Sequence, residues 1–423
     1  MRFIADLHIH SRYSRATSRD MTPEGISYWS QLKGIRVVGT GDFTHPGWVR
    51  ELQDRLVRQE NNLYKLKDAP DGVPSRCRSD VFFIPTAEIS CIYKKGERIR
   101  KIHLIIIMPS LELVTAFNAR LSRIGNITSD GRPILGLDAR TLLEMVLQIS
   151  EDSLVIPAHA WTPHFSIFGA FSGFDSIEEC FEDLSDSIYA IETGLSSDPP
   201  MNWRLSELDR VRLVSNSDAH SPSKLGREAN IFESVLSYEG ILNAIKSGKG
   251  FEGTIEFYPE EGKYHFDGHR NCSVCLSPEE TRKHGKRCPI CGRPLTVGVM
   301  HRVEMLADRN DGYRPPEAKP FYSAIPLQEI IAEALKAGVN TKKVQALYMK
   351  MLNDLGPEFD ILLEVDIEEI KRSAGEVVAE GIKRMRKGEV HISPGFDGEF
   401  GKIRLFEEVE RQEIKGQALL FGS

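Results

Sequence analysis

Apolar residues in the first 250 positions collect in short continuous runs, each followed by a longer stretch with helical spacing. The runs predict strands over 2–10, 36–42, 81–90, 101–108, 153–159, 187–193 and 212–218, and helices over 23–33, 48–67, 111–124, 139–149 and 202–209. Continuous rather than alternating runs are expected of strands buried on both faces, as in parallel sheets. Seven strand–helix alternations point to an α/β fold, either a βα barrel or an open doubly wound sheet. Beyond Gly253 the pattern changes. Residues 263–302 carry eight Lys or Arg against three acids, and Pro315-Pro316 looks like a boundary. Leu327, Ile330, Ile331, Ala334 and Leu335, then Val344, Leu347, Tyr348, Met351 and Leu352, follow the spacing of amphipathic helices. The expected organisation is an α/β unit over 1–258, a small cysteine-bearing unit over 259–305, a helical unit over 306–412 and a loose tail over 413–423.

At 423 residues the chain is long enough for two or three domains. Its longest apolar run, residues 104–108, falls far short of the roughly 20 residues a membrane-spanning helix needs. Asp6 follows Met1 too closely for a signal peptide, so the expectation is a cytoplasmic chain with no membrane partner. With 54 basic against 61 acidic residues the net charge is −7, which excludes a polycation that coats nucleic acid. Any nucleic-acid contact must come from local basic patches. Seven cysteines, an odd number, argue against an extracellular disulfide framework.

The candidate chemistry lies at the ends of the apolar runs. The first ends in Asp6-Leu7-His8-Ile9-His10-Ser11, and side chains at i and i+2 of a strand share a face, so His8 and His10 can grip one ion. Later runs bring Asp42 and His45, Glu88, His103, His159 with His164, Glu192, and Asp218-Ala219-His220. In an α/β barrel such ends converge on one mouth. Singly, each is well explained as a satisfied polar group. Together, the five imidazoles of His8, His10, His103, His159 and His220 and the three carboxylates of Asp42, Glu88 and Asp218 would be badly desolvated without a cation. Mixed His and carboxylate donors suit Zn²⁺ or Mn²⁺, with Mg²⁺ a further candidate. Eight ligands exceed one tetrahedron, so two or three divalent ions are expected, a set suited to phosphoester hydrolysis.

These motifs resemble the polymerase and histidinol phosphatase (PHP) superfamily, which implies a distorted (β/α)7 barrel with a three-metal phosphoesterase centre. By that resemblance His8, His10, Glu88 and Asp218 hold one ion, with Glu88 bridging, and His103 and His159 hold another. His220 belongs to the same centre, with Glu88, Asp218 and His220 as the catalytic group. The superfamily has Thr-Asp-His after its second strand. Here Gly41-Asp42-Phe43-Thr44-His45 departs from it, leaving Asp42 as the favoured ligand and His45 as second ligand or phosphate contact.

Cys272-Ser273-Val274-Cys275 and Cys288-Pro289-Ile290-Cys291 have the spacing of a structural zinc site, in which four thiolates leave no position open for catalysis. Between the pairs, Arg282, Lys283, Lys286 and Arg287 are either a solvated loop or a phosphate grip. Lys94, Lys95 and Arg98, between the third and fourth runs, are either part of a solvated hairpin or a track for a polyanionic backbone. The segment carrying His164, Phe165, Phe168, Phe171, Ser172 and Gly173 is either loop core or a wedge and pocket for an unstacked base, with Glu192 and His45 counted among the base and DNA contacts. Gln417, Leu420 and Phe421 resemble short peptides that dock on DNA sliding clamps.

A PHP-type unit, a four-cysteine ribbon and a helical C-terminal unit in this order resemble the endonuclease Q family across the whole chain. The resemblance implies a nucleoid-associated repair endonuclease. It would cut double-stranded DNA on the 5′ side of deaminated bases (hypoxanthine, uracil, xanthine) and abasic sites. Two alternatives are a PHP-type phosphatase for a small molecule such as histidinol phosphate, which leaves the ribbon and basic loops idle, and a non-catalytic nucleic-acid-binding scaffold.

Overall fold

The computed structural model describes residues 1–407 and Glu410. The first apolar run forms the strand Arg2–Asp6 within an eight-stranded sheet. It pairs in parallel with Ile35–Gly39, which pairs in parallel with Phe82–Ile84. On its other side lies Ala229–Glu233, antiparallel to it, and then Phe251–Glu256, antiparallel to Ala229–Glu233. The helix Pro23–Lys33 makes the first crossover. The Thr22 side chain accepts from Gly25 N–H at its start, and Gly34 ends it at φ 87°.

After Ile84, Pro85 turns the chain into Thr86–Lys95, which leaves this sheet. With Arg98–Ile107, Leu154–Pro157 and Ile134–Leu135 it forms a four-stranded sheet. Ala190–Glu192 and Arg212–Val214 form a parallel pair, and the Ile9–Ala219 bridge ties the chain that follows this pair to the end of the first strand. Residues at or just beyond the ends of several of these strands meet at one place, although the strands run in separate sheets rather than one closed sheet.

Two expectations need correction. Thr86–Lys95 and Arg98–Ile107 are an antiparallel hairpin around Gly96, which sits at φ 59°. A continuous apolar run reports burial on both faces and says nothing of direction, which the two-residue turn decides. The helix expected over 48–67 spans Pro46–Arg55, because Leu56–Arg58 and Tyr64–Leu66 fold back on each other around Asn62 at φ 58°.

The helical periodicity beyond residue 326 is realised in Leu327–Leu335 and Lys342–Leu355, followed by Glu358–Leu363, Ile367–Ala374 and Glu376–Lys387. Leu327, Ile330, Ile331, Val344, Tyr348 and Met351 are buried in a cluster that also contains Ile9, Trp48 and Ala219, so the helices share a core with the N-terminal half. The strand Phe321–Ser323 joins the eight-stranded sheet beside Phe251–Glu256. Among the described residues no helix is long and apolar enough to cross a membrane. Gln417, Leu420 and Phe421 lie outside the described residues.

A buried ion pair pins the C-terminal helices to the first crossover helix, Pro23–Lys33. Lys33 Nζ lies 2.7 Å from Glu358 Oε2, with both side chains 3% exposed. Glu358 also accepts from Leu327 N–H at 3.1 Å and Tyr348 O–H at 2.8 Å. Removing one member of such a pair leaves an uncompensated buried charge. Lys33→Met should therefore lower the unfolding free energy by about 3 kcal/mol, read from urea denaturation, and adding Glu358→Gln should recover part of that loss.

Candidate metal centre

His8 and His10 leave the end of the first strand on one face, as their i, i+2 spacing requires. Glu88 comes from the start of Thr86–Lys95 and His103 from its hairpin partner. His159 and Asp218 follow the ends of Leu154–Pro157 and Arg212–Val214. Asp42, His159 and Asp218 have positive φ, at 49°, 30° and 47°. Such a conformation persists only where surrounding contacts over-determine it. At His159 the backbone N–H is held by Glu192 Oε2 at 2.7 Å.

Two groups of ligand atoms result: His8, His10, Glu88 and Asp218, and Glu88, His103 and His159, each within 4.8 Å of one another. Glu88 belongs to both. Its Oε1 lies 2.5 Å from His103 Nδ1 and 3.1 Å from His159 Nε2, and its Oε2 lies 3.2 Å from His10 Nε2. Asp218 Oδ1 lies 3.0 Å from His10 Nε2 and 3.7 Å from His8 Nε2. His8 Nε2, His10 Nε2 and Asp218 Oδ1 are buried without a hydrogen-bond partner. Converging orphan lone pairs of this kind fit cations. Burial pushes the His103 imidazole down to about 4. Against the penalty of its own burial, the surrounding imidazoles, His103 foremost, hold the Glu88 carboxyl well below its usual range.

Four expected site residues stand outside these groups. Asp42 faces the far side of His10, accepting from His10 Nδ1 at 3.0 Å and from Ser11 N–H at 2.6 Å and Ser11 O–H at 2.7 Å, so both its oxygens are used within the protein. It orients His10 instead of ligating. Glu192 is fully buried, not at a DNA or base surface. It accepts from His8 Nδ1 at 3.1 Å and from Asn216 Nδ2 at 2.9 Å. These two carboxylates place the proton on Nδ1 and leave Nε2 of each histidine for an ion. His45 caps Pro46–Arg55, its Nδ1 accepting from Gly47 N–H at 3.2 Å while Nε2 donates to Thr128 O at 3.0 Å, so neither nitrogen is left for metal or phosphate. His220 packs on His10 with ring centroids 4.4 Å apart, at the rim of the centre and outside both ligand groups.

Beside the mouth, the aromatic segment divides. Phe168 is fully buried against Trp161, and Ser172 and Gly173 are buried, so these three belong to the loop core and not to a base pocket. Phe165 lies 4.7 Å from the His103 ring, and His164 stacks on Phe171 at 4.6 Å, with Phe171 61% exposed. Two arginines that sequence reasoning passed over hold this segment. Arg100 donates to Gly173 O and lies 4.0 Å from the Phe174 ring. Arg302 donates to Phe168 O at 3.0 Å, Phe174 O at 2.9 Å and Asp175 at 2.6 Å. Because Arg302 belongs to Val299–Leu306, directly after the cysteine unit, the unit is anchored beside the mouth.

Of the basic residues, Lys94 and Arg98 project from the hairpin tip, whereas Lys95 turns back to Glu182 at 2.7 Å. Arg282 pairs with Glu304 at 3.1 Å, Lys283 with Glu279 at 2.8 Å, and Arg287 donates to Gly292 O at 3.0 Å, so in this structure these three are engaged within the protein. Lys286 has an exposed side chain. In the ribbon, Cys272, Cys288 and Cys291 gather with His269 as a candidate metal group. Cys275 lies outside it. It pairs with Gly268 across the strands while His269 pairs with Val274, which puts Cys275 and His269 on opposite faces.

Behind Glu192 lies a layer of buried acids. Glu256 accepts from Thr193 O–H at 3.0 Å and Ser215 O–H at 3.1 Å. Glu228 Oε2 and Glu256 Oε1 have no hydrogen-bond partner. Burial pushes Glu256 up to about 8, and burial with the neighbouring Glu256 and Glu192 carboxylates raises Glu228 well above the usual carboxylate range.

Among known proteins, residues 326–389 match the family model described as the MJ0043 C-terminal domain. The chain is similar to the lesion-specific endonuclease PfuEndoQ of Pyrococcus furiosus, with a TM-score of 0.84, 33% identity and 97% of each chain covered. It is equally similar to an Endonuclease Q solved with a 27-mer duplex bearing an abasic lesion at its active site, with a TM-score of 0.82, 33% identity, and 97% of this chain and 98% of that one covered. The uncharacterized protein MJ0043 of Methanocaldococcus jannaschii is 35% identical over 273 residues, which span 61% of this chain and 33% of that protein's length.

The acid layer gives a pH test. The Glu256 carboxyl, raised from 4.5 to about 8, binds its proton more tightly in the folded chain than in the unfolded one, so its contribution to stability falls as pH rises across that window. Glu256→Gln removes this titration. Urea midpoints at pH 5.5 and pH 8.5 should show wild type losing more stability than the variant, by about 1 kcal/mol or more.

Proposed function

The chain belongs to the endonuclease Q family, a family of metal-dependent DNA endonucleases, and from that membership we propose that it nicks double-stranded DNA on the 5′ side of deaminated bases (hypoxanthine, uracil, xanthine) and abasic sites. The observation that carries this reading is the pair of ligand groups sharing Glu88, set beside an exposed stacked aromatic pair. We read the separate sheets around it as the distorted seven-stranded barrel of the PHP superfamily.

His8, His10, Glu88 and Asp218 would hold one Zn²⁺ or Mn²⁺, and Glu88, His103 and His159 a second. The ions, when bound, supply Lewis acidity towards a phosphodiester and a water. The protein's own residues do the rest. Glu192 and Asp42 keep His8 and His10 in one tautomer and one orientation. Glu88 ties the two groups to a fixed separation. His220, at the rim, lies within reach of a departing or arriving proton. The His164–Phe171 stack presents an aromatic face to a base that has left its helix, a step that costs least where pairing is already weak. Lys94, Arg98 and Lys286 reach the duplex backbone. One zinc in the ribbon, on Cys272, Cys288, Cys291 and His269, holds Val299–Leu306 and hence the aromatic segment in place. The peptide at Gln417, Leu420 and Phe421 docks on a sliding clamp. Action on chromosomal DNA places the protein in the cytoplasm at the nucleoid.

On an end-labelled duplex with one deoxyuridine or deoxyinosine, purified protein should nick 5′ to the lesion, lose activity in chelator and regain it with Mn²⁺ or Zn²⁺. Asp218→Ala should abolish nicking, and Glu192→Gln should lower it by about 10–100-fold. Undiminished nicking by Asp218→Ala would overturn the assignment. Phe171→Ala should weaken binding to the lesion duplex by about 1–3 kcal/mol, the worth of one stacked base, while affinity for intact duplex stays nearly constant in the same gel-shift titration.

A further inference from the structure

We propose that Arg132 is a substrate-binding residue of the centre and grips the non-bridging oxygens of the scissile phosphate. The inference rests on the phosphodiesterase reading and adds to it a residue that no strand-end motif contains.

The backbone aims this side chain. Gly131 N–H donates to Tyr13 O at 3.0 Å and Thr44 O–H donates to Gly131 O at 2.9 Å. On the other side, Ser90 N–H donates to Pro133 O at 3.0 Å. The approach is so close that a Cβ on Gly131 would stand 2.4 Å from Asp42 Oδ2 and 2.5 Å from Ser14 Oγ, so only glycine fits. Arg132 is thus pinned from both sides on the outer-layer carboxylate of His10.

From there Nη1 reaches Glu88 Oε2 at 3.0 Å with the side chain 32% exposed, so one edge of the guanidinium lies on the shared ligand while the side chain stays partly open to solvent. Among the described residues it is the one Lys or Arg ion-paired to a member of either ligand group. Because Glu88 belongs to both ligand groups, Arg132 stands where both can be spanned.

Electrostatics decides what such an arginine does. Cations in the two groups claim the Glu88 oxygens, and a guanidinium left beside them would be repelled at short range. An anion lying between guanidinium and cations removes the conflict. A phosphodiester is such an anion, and the planar fork of arginine matches two of its oxygens as a lysine ammonium cannot. In the transition state, where charge on those oxygens grows, the same contact strengthens.

The test compares metal-loaded wild type, Arg132→Met and Arg132→Lys. Metal content should be unchanged. Turnover should fall by about 10²-fold in Arg132→Met, with Lys recovering part, both on a deoxyuridine duplex and on bis(p-nitrophenyl) phosphate. Inhibition by inorganic phosphate should weaken at least about tenfold, in line with a lost charge-assisted contact. Unchanged turnover, unchanged phosphate inhibition, or a loss that tracks missing metal would each overturn the proposal. The small diester keeps the two readings apart. If wild type cleaves it but not the lesion duplex, the lesion assignment fails while the effect of Arg132→Met on the diester still decides the role of Arg132.

Discussion

Glu88 has no exposed side-chain surface, yet His10, His103, His159 and Arg132 all meet its two oxygens. A carboxylate placed so deep without partners would cost several kcal/mol, and its neighbours would cost more as isolated charges. The site exists only because strands distant in the chain deliver opposite charges to one point. The orphan nitrogens of His8 and His10 show that protein contacts alone leave this balance incomplete.

Distance from Glu88 sorts the other carboxyl groups by role. Asp42 and Glu192 sit one layer out, each spending its oxygens on the far nitrogen of a histidine and on nearby donors. Glu228 and Glu256 lie a layer further, where burial raises both carboxyl groups above their usual range and favours the neutral form. Identical chemical groups thus serve as ligand, orienter or neutral hydrogen-bonding group according to the partners that burial leaves them.

The mouth is built less symmetrically. One wall is the aromatic segment, stitched down by Arg100 from the hairpin and by Arg302 from the helix that follows the cysteine unit. The Gly131 turn packs on Asp42 and Ser14, and Arg132 beyond it reaches Glu88. Folding of the ribbon and geometry of the mouth are therefore mechanically connected, since Val299–Leu306 belongs to both.

Much of this was legible in the chain itself. Apolar runs located the strands, because burial on both faces demands unbroken hydrophobicity. Local spacing identified His8 with His10, the cysteine pairs and the C-terminal helices, because side-chain period is a property of the backbone. What required the tertiary structure was everything that depends on who faces whom. Strand direction around Gly96 and the choice between ligand and orienter for Asp42 and Glu192 were of this kind. So were the burial of Phe168 beside the exposure of Phe171, the place of His269 beside three cysteines, and the arrival of Arg132 from a turn with no periodicity. Composition names the groups a chain can use, but a charge acquires its role from neighbours hundreds of residues away, and only folding chooses those neighbours.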